Sequence, residues 1–330
     1  PNEAAMLADQ QPWAVILMGR SCVSRMQVQK LVDDIWLAMG RACLILIDQE
    51  GGRVARLKPP EWPKFPPVER YGELYLQDKE AALEACYTGH YLLASELAAL
   101  GIHADCSPVV DLTIPGAHDI IGDRAFSYDP TIVGALAQSA IHGLHDAGVS
   151  SVIKHIPGHG RAKADSHEEL PVVADGANEL AADFQAFQLV NSAPMAMTAH
   201  ILYPEIDAEQ PATTSKTLIS DVIRGRIGFD GLLMSDDLGM KALGGSLGSR
   251  AERALDAGCD VVLHCSGFLS DPDAIFAEMK EVAEHSVELS GKPLERAIRA
   301  DNASCYIKSH DLAEMRQRYD ALMSITGVAA

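Results

Sequence analysis

The sequence predicts an α/β fold: a TIM-type (β/α)8 barrel formed as a single domain over residues 1–330, with one strand fewer than a closed barrel. Three observations carry this expectation. Short apolar runs recur, each followed by polar or glycine-rich residues and then by a helical pattern. The 330 residues are about twice the usual ~150 per domain, yet no low-complexity linker divides them, and α/β barrels commonly reach such lengths as one unit. The GxGxxG fingerprint of an open, doubly wound sheet follows none of the runs.

The runs are Ala14–Met18, Leu44–Ile47, Ile102–Ala104, Val152–Ile156, Met195–Thr198, Leu232–Met234 and Val261–Leu263. Apolar without alternation, they suit strands buried on both faces, as in a parallel sheet. The stretch from Lys79 to Leu100 has helical apolar spacing and stops at Gly101. Asp129-Pro130 reads as an N-cap followed by proline in the first turn, opening a helix that closes at Gly148. Asp271-Pro272 repeats the opening signal. Seven strands are one short of a closed eight-stranded barrel.

Composition narrows the function. Lys plus Arg number 27 against 46 Asp plus Glu, a net charge of −19. So acidic a body repels phosphate backbones and anionic lipid, so neither nucleic acid nor a membrane surface is an expected partner. No apolar run approaches the ~18 residues of a membrane span, and no basic segment precedes an apolar one as in a signal peptide. Cys22, Cys43, Cys86, Cys106, Cys259, Cys265 and Cys305 are odd in number and form no CxxC. They read as small buried hydrophobes in a reducing compartment.

Ionisable residues gather at the ends of these strands. Asp48-Gln49-Glu50-Gly51-Gly52-Arg53 follows the second, and Asp105 and Asp111 follow the third. The fourth carries Lys154 and His155, then Pro157-Gly158-His159-Gly160. The last three end at His200, at Ser235-Asp236-Asp237 and at His264-Cys265. In a parallel barrel such ends converge on one face, where catalytic groups project. Three chemistries suit that rim. His155, His159, Asp165 and His167 could ligate a metal, though their spacing is irregular and no HExxH or CxxC anchors them. Gly158, Gly160 and Lys154 could bind phosphate, though GxxxxGK[ST] is absent. Glycoside hydrolysis needs a carboxylate nucleophile and a proton donor; Asp236 can serve as the first and the Asp165–His167 pair as the second.

KHIPGHGRAKADSHEELP, from Lys154 to Pro171, resembles the KHFPGHG…DSH signature of glycoside hydrolase family 3 β-N-acetylhexosaminidases. DQEGGRVARL, GDRAFSYDP, TAHILYP and GLLMSDDLGM match further blocks of that family in the same order. The Asp-Ser-His loop is the specific part, since the family's β-glucosidases generally lack it. The resemblance implies an exo-acting, retaining β-N-acetylglucosaminidase of bacterial cell-wall recycling. Such an enzyme is cytoplasmic and monomeric and takes N-acetylglucosamine from a muropeptide without metal or organic cofactor. It further implies Asp236 as nucleophile and His167 as general acid/base with Asp165 its partner. Asp48, Arg56, Arg124, Lys154 and His155 would hold the sugar's hydroxyls and N-acetyl group. The loop from Gly158 to Glu168, glycine-bearing and poor in apolar residues, is expected to be mobile. Asp237 reads as a supporting or helix-capping carboxylate, His159 as a shaper of the loop, and His103 and His200 as rim residues within reach of substrate. A metal-dependent barrel hydrolase and a non-catalytic sugar-binding barrel are the rival classes.

Two departures stand out. Family members carry a strand and a helix before the segment matching PWAVILMGR, whereas twelve residues precede Trp13 here, and PNEAAMLADQQ reads as the tail of that helix. Either further residues precede Pro1, or the seam between the first and last strands is covered by the N-terminal segment, the C-terminal helices or another chain. In addition, Ser266 follows Cys265 where relatives often have Asn.

Overall fold

The structure is a computed structural model that describes residues 2–267, 269–303 and 307–326. Its strands are β1 (Ala14–Leu17), β2 (Leu44–Ile47), β3 (Gln49–Gly51), β4 (Val54–Ala55), β5 (Ala104–Asp105), β6 (Ser150–Ile156), β7 (Met195–Thr198), β8 (Leu232–Asp237) and β9 (Val261–Leu263). Its α-helices are α1 (Asn2–Gln10), α2 (Arg25–Met39), α3 (Glu69–Gln77), α4 (Lys79–Ala98), α5 (Pro130–Asp146), α6 (Ala177–Gln188), α7 (Leu247–Ala257), α8 (Pro272–Glu284), α9 (Gly291–Asn302) and α10 (Leu312–Met323), and a π-helix, Leu218–Arg226, lies between β7 and β8. Seven strands form one parallel sheet among the described residues, in the order β1-β2-β5-β6-β7-β8-β9. β3 and β4 make a separate antiparallel hairpin. The fold is therefore the expected α/β barrel type with seven strands.

The helix boundaries follow local chemistry. Asp129 and Asp271 cap α5 and α8 by accepting from Thr131 N and Asp273 N. Asp78 caps α4, and Gly101 beyond its end takes a left-handed conformation at φ 79°. That turn shifts one strand from its expected place. Ile102 N–H donates back to Leu97 O, so the residue stays with the helix end and β5 begins at Ala104.

The sheet buries both faces, as its unbroken apolar runs require. Ile45, Ile47, Ile153, Ala196 and Leu233 pack beneath the helices. Leu44, Leu46, Ala104, Cys106, Val152, Met195, Met197, Leu232 and Met234 fill the opposite, inner face. Ala14 and Ile16 of β1 and Val261 and Leu263 of β9 join this same inner cluster, together with Ala297 and Ala300 of α9. A C-terminal helix thus covers the interior where the two end strands approach. Arg296 anchors it by donating to Asp260 at 3.0 Å and to Asp230 at 2.7 Å, both just before strands. Outside, α1 packs against α2 and α8, so the helix layer continues past the seam. No described helix is long and apolar enough to cross a membrane. The six described cysteines are free; Cys22 is only partly buried, against expectation, and Cys305 lies outside the described residues.

Candidate active site

The C-terminal strand ends open into one cleft of about 410 Å³. Asp48, Arg56, Arg124, Lys154, His155, His167 and Asp236 all line it, with Asp165 directly behind His167. Two irregularities in strand pairing help bring neighbouring side chains to the same place. The β6–β7 register shifts between Lys154 and Ile156, and both Lys154 and His155 reach the cleft. The β8–β9 register shifts between Met234 and Asp237, and both Asp236 and Asp237 reach it. In a regular strand successive side chains point to opposite faces; a bulge re-aims one of them.

The floor is an alternating chain of charges. Arg56 donates to Asp48 Oδ2 at 2.8 Å, and Lys154 Nζ donates to Asp48 Oδ1 at 2.9 Å. Lys154 Nζ also lies 2.7 Å from Glu50 Oε1, and Arg124 meets Glu50 through two bonds of 2.8 Å. Burial alone would raise the Asp48 carboxyl's pKa, but Lys154 and Arg56 outweigh it and hold the group well below the usual carboxylate range. Glu50 follows the same logic and falls to about 2, with Arg124 and Lys154 overcoming burial. Burial works against the Lys154 charge too, yet Asp48 and Glu50 lift its pKa well above the ordinary lysine value. Such a floor presents fixed charges and directed hydrogen bonds to a polar ligand.

A second network holds the histidines. His155 Nδ1 lies 2.7 Å from Asp111 Oδ2, and the His159 backbone N–H donates to Asp111 Oδ1 at 2.6 Å. His159 Nε2 is 3.1 Å from Ser166 Oγ, and burial pushes its pKa down to about 4. On the loop above, His167 Nδ1 stands 2.7 Å from Asp165 Oδ1, which also accepts His167 N–H at 2.9 Å. Burial opposes the Asp165 charge, but these bonds prevail and keep its pKa below the ordinary value. Asp111 thus holds both His155 and His159 while Asp165 engages His167, and the described residues hold no cluster of three or more potential metal ligands.

On β8, Asp236 Oδ1 accepts Asp237 N–H at 2.8 Å. The Asp237 carboxylate accepts from Gly239 N at 2.9 Å and Cys265 N at 3.0 Å, so it fixes the turns flanking the cleft, the supporting role expected of it. His103 and His200 lie off the cleft. His103 precedes β5, at the far end of the barrel, with its Nδ1 3.2 Å from Gly148 O. His200 is fully buried, with Nδ1 2.7 Å from Thr213 Oγ1 and Nε2 3.1 Å from Asp237 O. Sequence reasoning passed over Glu50 and Asp111 as site residues. Both stand in the strand-end runs, and a carboxylate beside Arg53 and Arg56 was the available signal for Glu50.

Fold and cleft together are those of an α/β barrel protein with a charged cleft for a polar ligand. A family model described as the glycosyl hydrolase family 3 N terminal domain matches residues 1–298. A β-hexosaminidase of Bordetella avium is 40% identical over 260 residues, covering 76% of this chain and 73% of its own. One of Xylella fastidiosa is 40% identical over 270 residues, covering 80% and 79%. A crystal structure of NagZ from Neisseria gonorrhoeae in complex with N-trifluoroacetyl-D-glucosamine superposes with a TM-score of 0.83 at 29% identity, covering 98% of this chain and 94% of its own. The chain belongs to glycoside hydrolase family 3, as a β-hexosaminidase of that family.

Proposed function

We propose that this chain is an exo-acting, retaining β-N-acetylglucosaminidase. It removes N-acetylglucosamine from peptidoglycan-derived muropeptides such as GlcNAc-anhydroMurNAc. Residues 1–330 act as one catalytic barrel, a monomer working in the cytoplasm. Asp236 attacks C1 while His167 protonates the glycosidic oxygen. The C1–O bond breaks, the aglycone leaves as an alcohol, and a glycosyl ester forms on Asp236. Water then attacks C1, His167 takes its proton, and the ester bond breaks to release the sugar with its β configuration. Asp165 orients the imidazole and stabilises its charged form. Asp48, Arg56, Arg124, Lys154 and His155 hold the sugar's hydroxyls and N-acetyl group. A histidine that has given up its proton is neutral, so it repels Asp236 less than a second carboxylate would. No step calls on a metal or organic cofactor.

The observation that carries this reading is the 2.7 Å Asp165–His167 pair on a loop over the cleft that Asp236 also lines. The sugar in the related structure supports the substrate class. The test is incubation with an aryl N-acetyl-β-glucosaminide, with NMR of the first sugar formed. Release of the β-anomer is the expected result. Release of the α-anomer would overturn the retaining mechanism, and binding without release would leave a non-catalytic sugar-binding barrel.

A further inference from the structure

Ser166 stands between Asp165 and His167, and it alone of the three is almost wholly enclosed. It is 2% exposed, whereas the Asp165 and His167 side chains are 22% and 41% exposed. Two bonds account for its burial. Its carbonyl accepts Ala242 N–H at 3.2 Å, from the turn that follows Asp236 and Asp237. Its hydroxyl lies 3.1 Å from His159 Nε2, at the stem of its own loop. His159 is fixed in turn by Asp111, the carboxylate that also holds His155 in the cleft. One residue therefore ties the loop both to the strand end bearing Asp236 and to the anchor of a cleft histidine.

We propose that Ser166 is a positioning residue, a latch that sets His167 over the cleft by tying its loop to His159 and Ala242; this rests on the reading of His167 as general acid/base. Proton transfer requires the imidazole within hydrogen-bond reach of the leaving oxygen, and placement errors near 1 Å are expensive. Burial pushes the His159 pKa down to about 4, so the ring is neutral near pH 7 and its tie to Ser166 is a neutral hydrogen bond. Removing the hydroxyl loosens the loop without touching the dyad's own bond.

The test compares Ser166→Ala, His167→Ala and the double variant on a nitrophenyl N-acetyl-β-glucosaminide and on an N-acetylglucosamine-terminated disaccharide. Ser166→Ala is expected to lose about 10- to 100-fold in kcat on the disaccharide, far less on the nitrophenyl glycoside, with KM little changed. Amide exchange in residues 162–168 should quicken. The double variant should be no slower than His167→Ala, since the latch acts through that residue. Ser166→Thr, which keeps the hydroxyl, should retain the wild-type ratio between substrates and guards against a folding defect in the alanine variant. Equal losses of Ser166→Ala on both substrates, additive losses in the double variant, or wild-type rates beside a leaving-group split in His167→Ala would each overturn the latch alone. His167→Ala without any leaving-group split would overturn the acid–base reading and the latch with it.

Discussion

Glu50 and Arg124 face each other through two hydrogen bonds of 2.8 Å, with Lys154 Nζ only 2.7 Å from the same carboxylate. One acid thus compensates two buried cations on the cleft floor. Glu50→Ala leaves both short of a partner, a loss of about 3–5 kcal/mol where a buried pair is broken. Glu50→Gln, which keeps the shape, should lose less. Chemical denaturation checks the order of the two. KM for an aryl N-acetylglucosaminide should rise in both, because Arg124 and Lys154 line the cleft; an unchanged KM would disconnect the floor from sugar binding.

Asp236→Ala should abolish turnover, by at least about 10³-fold, and leave the fold intact. The carboxylate lines the cleft and accepts its neighbour's N–H. Its removal also relieves repulsion with Asp237. A fluorinated slow substrate should label Asp236 in the unmodified protein, read by peptide mass spectrometry. A label on Asp237 would move the nucleophile by one residue.

Asp165→Asn tests the pair on the loop. The amide can still bond to the ring but no longer supports an imidazolium, and it permits the wrong tautomer. Rates on a disaccharide should fall about 10- to 100-fold, and those on a nitrophenyl glycoside less, since a good leaving group needs little protonation. Equal losses on both would reduce Asp165 to a structural role.

Much of this was legible in the sequence because burial on both faces leaves short unbroken apolar runs such as LILI and MAMT. The ends of strands were harder. β8 runs through Ser235-Asp236-Asp237, beyond the expected Leu232–Met234, and Ser235 Oγ accepts Leu263 N–H from β9 at 2.9 Å. The hairpin β3–β4 hid inside DQEGGRVA, where glycines and charges mask a strand pattern. Residue types at the site were readable, but their partners were not. Asp111 and His155 are bonded although 44 positions separate them, and Glu50 and Arg124 although 74 do. Only the folded sheet makes those pairs.

The buried histidines should cost the protein stability as the pH falls below neutrality. Burial pushes His90, His145 and His159 down to about 4 from the ordinary 6.5. Between those values the unfolded chain binds protons that the folded one excludes, so these rings lower stability as pH drops from 6.5 toward 4 and add no further loss below. Each fully buried ring accounts for about 3 kcal/mol at ~1.4 kcal/mol per unit. His90 is far from the cleft, enclosed in α4, with Nδ1 on Cys86 O and no partner for Nε2 among the described residues. Denaturant midpoints measured from pH 7 to 4 should therefore fall less steeply in His90→Gln than in the unmodified protein. Parallel curves would remove His90 from the account.

The seam between β1 and β9 is closed differently at its two ends, and this separates stability from activity. At the cleft, Arg20 donates to Cys265 O at 2.8 Å and Ser266 O at 3.3 Å, joining the loops that follow the two strands. At the far end, α9 inserts Ala297 and Ala300 against the inner face, and Arg296 ties it to Asp260 and Asp230. Ala300 is wholly buried, so a leucine there overfills a packed interior at a cost of about 1–3 kcal/mol. Arg296→Ala exposes a different weakness, since it removes one of two cations from the buried Asp260 and leaves Arg224 at 2.7 Å to hold it. Both variants should lower the denaturation midpoint while kcat and KM stay near those of the unmodified protein. Arg20→Met should do the reverse, with KM rising before stability suffers, because Cys265 and Gly267 line the cleft. If the α9 variants changed KM as much as Arg20→Met, the helix would be acting on the cleft through the barrel, and the division of the seam would be wrong.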